Sequence, residues 1–240
     1  MTRDDAVARI LCAVDTTDIE VAKTLSRRLK GKVGGLKLGL EFFHSHGPAG
    51  VATVIKDRHP LFLDLKMHDI PNTVAGGMRA IAPLHPFLTT VHASGGAAML
   101  RSAMAAAVTA GEAGGGSRPK VVAITLLTSI DKDDMGQIGM KGGIADQVLR
   151  LADLAQNSGT DGVVCSAHEV RALRKQCGDD FLLVVPGVRP AWSTANDQKR
   201  IVTPAEAIAA GADYLVVGRP ITQAKDPVEA AEQIAEEMAA

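Results

Sequence analysis

Leu182-Leu183-Val184-Val185 is apolar at every position. A short run that is hydrophobic at both parities suits a strand covered on both faces, as strands of parallel sheets are. Seven more short apolar runs accompany it: Ile10–Val14, Gly34–Leu38, Leu61–Leu65, Leu88–His92, Val121–Thr125, Gly162–Cys165 and Tyr214–Val217. Successive starts lie 20 to 41 residues apart, which leaves room for a helix and two loops after each strand, the spacing of βα units. Helix signals fill several gaps. Thr203-Pro204-Ala205-Glu206 reads as a capping box with proline in the first turn, and Gly211 can end that helix. Asp226-Pro227-Val228-Glu229 repeats the pattern ahead of a face made by Val228, Ala231, Ile234, Ala235 and Met238, and Ile144, Val148, Leu151 and Ala155 form another.

Eight strands with eight crossovers fit a (β/α)8 TIM barrel better than an open doubly wound sheet, which more often has five to seven strands. The expectation is one α/β barrel domain over residues 1–240. Ala105–Arg118 reads as a helix giving way to a Gly114-Gly115-Gly116 surface turn rather than a linker. The segment from Pro186 to Arg200 is long and polar for a βα connection. Lying directly after the seventh strand, on the face where barrels build active sites, it reads as a lid.

The chain has 240 residues, 26 Lys and Arg against 27 Asp and Glu, and seven aromatics: five Phe, one Trp and one Tyr. Its net charge of −1 gives no basic footprint for nucleic acid. No apolar stretch reaches the ~18 residues of a membrane span, and Met1-Thr2-Arg3-Asp4-Asp5 is too acidic to open a secretory signal, so a cytoplasmic location is expected. Cys12, Cys165 and Cys177 form no Cys-x-x-Cys pair, and the seven His show no His-Glu-x-x-His arrangement; neither a disulfide framework nor a zinc site is indicated. Cys12 and Cys165 read as small core residues, Trp192 as lid packing and the methionines as core.

The densest polar constellation is Asp64-Leu65-Lys66-Met67-His68-Asp69-Ile70-Pro71-Asn72-Thr73, at the end of the third strand. Residues two apart in a strand share a face, so Asp64 and Lys66 would leave Leu63 and Leu65 to the helices and face the barrel interior, where an unpaired charge is costly. A purely structural ion pair fits the same spacing. Asp15, Lys37, Thr128 and Gly218-Arg219 occupy the corresponding ends of other strands. Singly, Asp15 can be a helix N-cap, Lys37 a surface lysine, Gly218 a strand terminator and Arg219 a solvated side chain; their joint placement argues for a site. Arg219, with Arg189 in the lid, suggests a fork for phosphate. His92 sits in an apolar run and reads as a core histidine rather than a base.

Taken together, Asp15, Lys37, Asp64–Thr73, Val91-His92-Ala93-Ser94-Gly95-Gly96, Pro186-Gly187-Val188-Arg189-Pro190, Asp197-Gln198 and Gly218-Arg219-Pro220-Ile221 resemble the orotidine 5′-phosphate decarboxylase family, in order from the first strand to the eighth. The Asp-x-Lys-x-x-Asp core belongs to a wider suprafamily; the Ile-Pro-Asn-Thr continuation and the Pro-Gly-x-Arg-Pro lid are more specific. The resemblance implies decarboxylation of orotidine 5′-phosphate to uridine 5′-phosphate without metal or organic cofactor. Lys66, Asp64, Asp69 and Lys37 would be the catalytic set. Lys66, held charged by carboxylates, would stabilise and protonate the C6 carbanion, with Asp64 against the substrate carboxylate. Asp15 and Lys37 would hold ribose hydroxyls, Thr128 and Ser129 would line the pyrimidine, Arg189, Gln198, Gly218 and Arg219 would bind phosphate, and Pro186 would also belong to the substrate-binding set. Asp69, Ile70 and Thr73 would reach a neighbouring site, which implies a homodimer.

Three alternatives remain open at this level. Sugar-phosphate members of the suprafamily use the same core with Mg²⁺ on an enediolate. A Schiff-base aldolase would need Lys66 unprotonated, against its carboxylate neighbours. A silent phosphate-binding barrel would keep Arg189, Gln198 and Arg219 but have no need of Asp64 and Lys66.

Overall fold

The structure is a computed structural model, and it describes residues 1–57, 59–114, 117–192 and 202–240. Eight strands, β1 (Ile10–Ala13), β2 (Gly35–Gly39), β3 (Leu61–Met67), β4 (Leu88–His92), β5 (Lys120–Ile124), β6 (Gly162–Val164), β7 (Leu182–Pro186) and β8 (Tyr214–Val217), pair in chain order. All pairings are parallel, and β8 returns to β1, with Cys12 opposite Leu36 on one side and Val217 on the other. The expected barrel is therefore closed, and each anticipated run became a strand with ends displaced by at most two residues.

The helices among the described residues are α1 (Arg3–Ala8), α2 (Ile19–Arg28), α3 (Leu40–Val54), α4 (Pro71–Ile81), α5 (Gly96–Gly114), α6 (Lys132–Gln137), α7 (Ile144–Asn157), α8 (Val170–Cys177), α9 (Pro204–Ala210), α10 (Arg219–Thr222) and α11 (Pro227–Ala239). Their ends follow local chemistry. Thr203 accepts from Glu206 N–H while Glu206 accepts from Thr203 N–H, and Gly211 closes α9 at φ 112°, a left-handed backbone that suits glycine. Asp226 caps α11 through Val228 and Glu229 N–H, but the Glu229 carboxylate accepts from Gln233 instead of completing a box. At Gly47-Pro48 the chain kinks within α3, where Gly47 takes φ 58°. α5 runs on to Gly114, so the alanine-rich half of the expected transition is fully helical. α1 has no counterpart in the sequence reading: it is six residues long and buries only Ala6, too little apolar pattern to register.

Burial divides into two layers. Leu11, Phe62, Leu88, Val122 and Val184 fill the barrel interior with Val164 and Val216 packed beside them. Their strand neighbours, such as Leu36, Leu38, Leu63, Val121, Leu183 and Val185, face outward into the larger core shared with the helices. This is the double coverage that makes the runs apolar at both parities. Gly35 marks the tight part of the interior, since a β-carbon there would lie 2.7 Å from the Pro60 carbonyl oxygen and 3.2 Å from Leu11. Among the described residues, no helix is long and apolar enough to cross a membrane.

Candidate active site

Two residues beyond each interior position, toward the strand's carboxyl end, the side chain again points inward. Phe62 gives way to Asp64, Leu11 to Ala13, Leu88 to Thr90, Val184 to Pro186 and Val216 to Gly218. On β2 the inward positions are Gly35 and Lys37, alternating with the outward Leu36 and Leu38. Period-two alternation thus converts an apolar barrel floor into a polar mouth. Over it lies a cavity of about 350 Å³ lined by Asp15, Lys37, Asp64, Lys66, Thr128, Pro186, Arg189, Gly218 and Arg219 together with apolar side chains.

One wall of this cavity is a row of alternating charge. Asp15 Oδ1 accepts from Lys37 Nζ at 3.0 Å, Lys37 Nζ lies 3.7 Å from Asp64 Oδ2, and the same oxygen accepts from Lys66 Nζ at 2.6 Å. Lys37 and Asp64 are buried, which is tolerable because each has opposite charges against it. Lys37 is therefore no surface lysine. Nor is Asp15 a cap: Asp18 takes that role for α2, accepting from Glu20 and Val21 N–H.

β3 does not continue as a regular strand through Lys66. Its pairing with β4 shifts between Leu63 and Met67, and Lys66 adopts φ 49°. A left-handed backbone costs a non-glycine residue about 1–2 kcal/mol, so this conformation is held by its surroundings. Asp64 and Lys66 still meet, as their spacing suggested. Asp69 does not join them within one chain: no ion pair forms between Asp69 and Lys66, and Asp69 Oδ1 accepts from the neighbouring Ile70 N–H. The strand ends at Met67 and the chain turns away into α4, so within one chain Asp64 is the carboxylate that meets Lys66. Asp69, Ile70 and Thr73 are exposed, Ile70 by 67%.

Pro186, Arg189, Thr128, Gly218 and Arg219 line the cavity as anticipated, but Ser129 is exposed and outside the lining. Gly218 precedes α10, a single helical turn after β8. Burial first, and then the nearby Arg219 charge, pull the Arg189 guanidinium below its ordinary value. Arginine remains charged through such a shift, so the two side chains concentrate positive charge on one part of the wall. Gln198 and Asp197 lie outside the described residues, as does most of the expected lid; within its described part Trp192 is exposed rather than packed.

His92 is not a core histidine. The inward parity of β4 brings it to the barrel mouth, half-buried, with its ring stacked on His68 at 5.3 Å between centroids. Burial, followed by His68 and Lys66, lowers its pKa and favours the neutral imidazole. Thr90 was missed entirely, although counting two positions on from Leu88 would have found it. Cys165 lines the cavity, but burial raises its pKa, and burial pushes Cys12 up to about 12, so both remain thiols at neutral pH. Among the described residues, no group of three or more His, Cys, Asp or Glu is placed to hold a metal ion.

Comparison with known proteins places this geometry. A profile described as "Orotidine 5'-phosphate decarboxylase / HUMPS family" matches residues 8–234. Orotidine 5′-phosphate decarboxylase of Rhodospirillum rubrum is 58% identical over 230 residues, covering 95% of this chain and 93% of the relative. That of Paramagnetospirillum magneticum is 56% identical over 229 residues, covering 95% and 97%. The crystal structure of orotidine 5′-phosphate decarboxylase from Lactobacillus acidophilus superposes with a TM-score of 0.85 at 42% identity, covering 96% of this chain and 99% of that one. With nearly its whole length matched and the charged row at the barrel mouth, the chain belongs to the orotidine 5′-phosphate decarboxylase / HUMPS family.

Proposed function

We propose that this chain converts orotidine 5′-phosphate to uridine 5′-phosphate and carbon dioxide in pyrimidine biosynthesis, without metal or organic cofactor. The observation that carries this reading is the Asp15–Lys37–Asp64–Lys66 row along a cavity that Arg189 and Arg219 also line. Breaking the bond between C6 and its carboxylate leaves an electron pair that the pyrimidine ring cannot delocalise. The Lys66 ammonium stabilises that pair electrostatically and then donates a proton to C6; carbon dioxide leaves, and Lys66 recovers its proton from solvent.

Asp64 lies beside the substrate carboxylate. Two like charges ~4 Å apart repel by about 4 kcal/mol at an effective dielectric of about 20, a strain that departs with carbon dioxide. Stabilisation of the carbanion by Lys66 is the larger contribution in this scheme. Asp15 and Lys37 take ribose hydroxyls, Thr128 borders the pyrimidine, and Arg189, Gln198, Gly218 and Arg219 take the phosphate. Phosphate binding far from C6 then supplies energy for closing the lid over the site. Exposure of Asp69, Ile70 and Thr73 outside their own cavity supports a homodimer in which they complete the partner's site. The whole reaction takes place in the cytoplasm.

The test is direct. Metal-stripped protein in EDTA should consume orotidine 5′-phosphate, followed by its loss of ultraviolet absorbance. A strict Mg²⁺ requirement, or turnover of a sugar phosphate in place of the nucleotide, would overturn the reading.

A further inference from the structure

Thr90 is fully buried in β4 and does not line the cavity. Its hydroxyl nonetheless touches two parts of the charged row, donating to Asp64 Oδ1 at 2.9 Å and accepting from Lys66 N–H at 2.8 Å. A hydroxyl carries a single hydrogen, so giving it to the carboxylate leaves the lone pairs for the amide. Both bonds fall where the sheet ladder is interrupted. Leu63 pairs with Thr89 and Met67 with Val91, so three residues of β3, Asp64 to Lys66, lie opposite the single residue Thr90 of β4. Such a bulge re-aims the strand, and Lys66 takes its left-handed backbone there. The side chain of Thr90 supplies the bond that a regular ladder would have drawn from the β4 backbone.

We propose that Thr90 is a positioning residue for the decarboxylation, a role that rests on the function proposed above. By holding Asp64 Oδ1 it fixes the rotation of that carboxylate, and so the direction of Oδ2, to which the ammonium groups of Lys66 and Lys37 are drawn. By holding Lys66 N–H it fixes the root of the same lysine side chain. One hydroxyl thereby sets both ends of the Asp64–Lys66 contact, and the ammonium is aimed before substrate arrives. Displacement of a reacting group by about 1 Å can cost about 100-fold in rate.

The test compares Thr90→Val, Thr90→Ala and Thr90→Ser. Removing the hydroxyl should lower kcat about 10- to 100-fold, with affinity for uridine 5′-phosphate within about threefold of wild type, whereas Thr90→Ser should stay within about threefold on both measures. Thr90→Ala decides the matter if the valine variant fails to fold. An unchanged kcat in the alanine variant overturns the proposal, as does equal loss of kcat and product affinity, or a serine variant as damaged as alanine. Hydrogen exchange at the Lys66 amide reads the same bond without turnover: protection should persist in wild type and Thr90→Ser and fall about tenfold or more in Thr90→Ala. Unprotected Lys66 in wild type overturns the positioning role, whereas protected Lys66 in a protein inactive on orotidine 5′-phosphate overturns only the decarboxylase reading.

Discussion

At the amino-terminal end of the barrel, Arg118 grips Asp161 through two bonds of 2.7 Å, and Arg174 donates to Asp213 at 2.7 Å. Each carboxylate also accepts from the N–H of a neighbouring strand, Asp161 from Val121 and Asp213 from Leu183. At the carboxyl-terminal end the same charge types meet as Asp15, Lys37, Asp64 and Lys66, but the bases are lysines and the row faces a cavity. The lower pairs tie off strand ends with arginine forks that never release a proton. The upper row uses compact ammonium groups that can. Paired acids and bases thus staple the barrel at one end and line a cavity at the other, a division that the net charge of −1 conceals.

The sharpest way to break this contrast is Lys66→Ala. Turnover should fall by at least about 10⁴-fold, combining the loss of a general acid with that of an electrostatic stabiliser, while the midpoint of thermal unfolding stays within a few degrees. Retained turnover would make the upper row as structural as the lower pairs. Mixing this variant with Asp69→Ala should restore activity after subunit exchange, and no recovery would remove Asp69 from a shared site. A smaller effect is expected of Arg219→Ala: affinity for uridine 5′-phosphate should weaken about 10- to 100-fold, the scale of a charge-assisted hydrogen bond, as measured by calorimetry. The smallest falls at the other end. Asp161→Asn should leave kcat unchanged and cost about 1–2 kcal/mol, discounted for partial exposure of the pair, or a Tm lower by a few degrees. A drop in kcat with no drop in Tm would reverse the assignment of the two ends.

The strands were legible because each is wrapped on both faces and bounded by polar turns, so burial leaves a mark at every position. The charged residues were legible because they interrupt that mark at the same place on several strands. Thr90 was not, since a β-branched residue inside an apolar run looks like any strand former; its role lies in the bulge of β3, which no run of residue types announces. The backbone of Lys66 was hidden for the same reason. His92 misled in the opposite direction, because an apolar run says that a strand is buried but not which of its side chains reaches the mouth. The role of Asp15 turned on three consecutive polar residues after it, and only coordinates show that Asp18, not Asp15, takes the helix N–H groups.

Every strand of the ring is hydrogen-bonded to a neighbour on both sides. A closed ladder presents no unpaired edge on which another chain can add a strand, so the sheet itself offers no handle for aggregation or for docking an extended peptide. Another chain that meets this molecule must therefore read side chains on its helices and loops, which makes such docking a matter of surface sequence and leaves the barrel backbone mute.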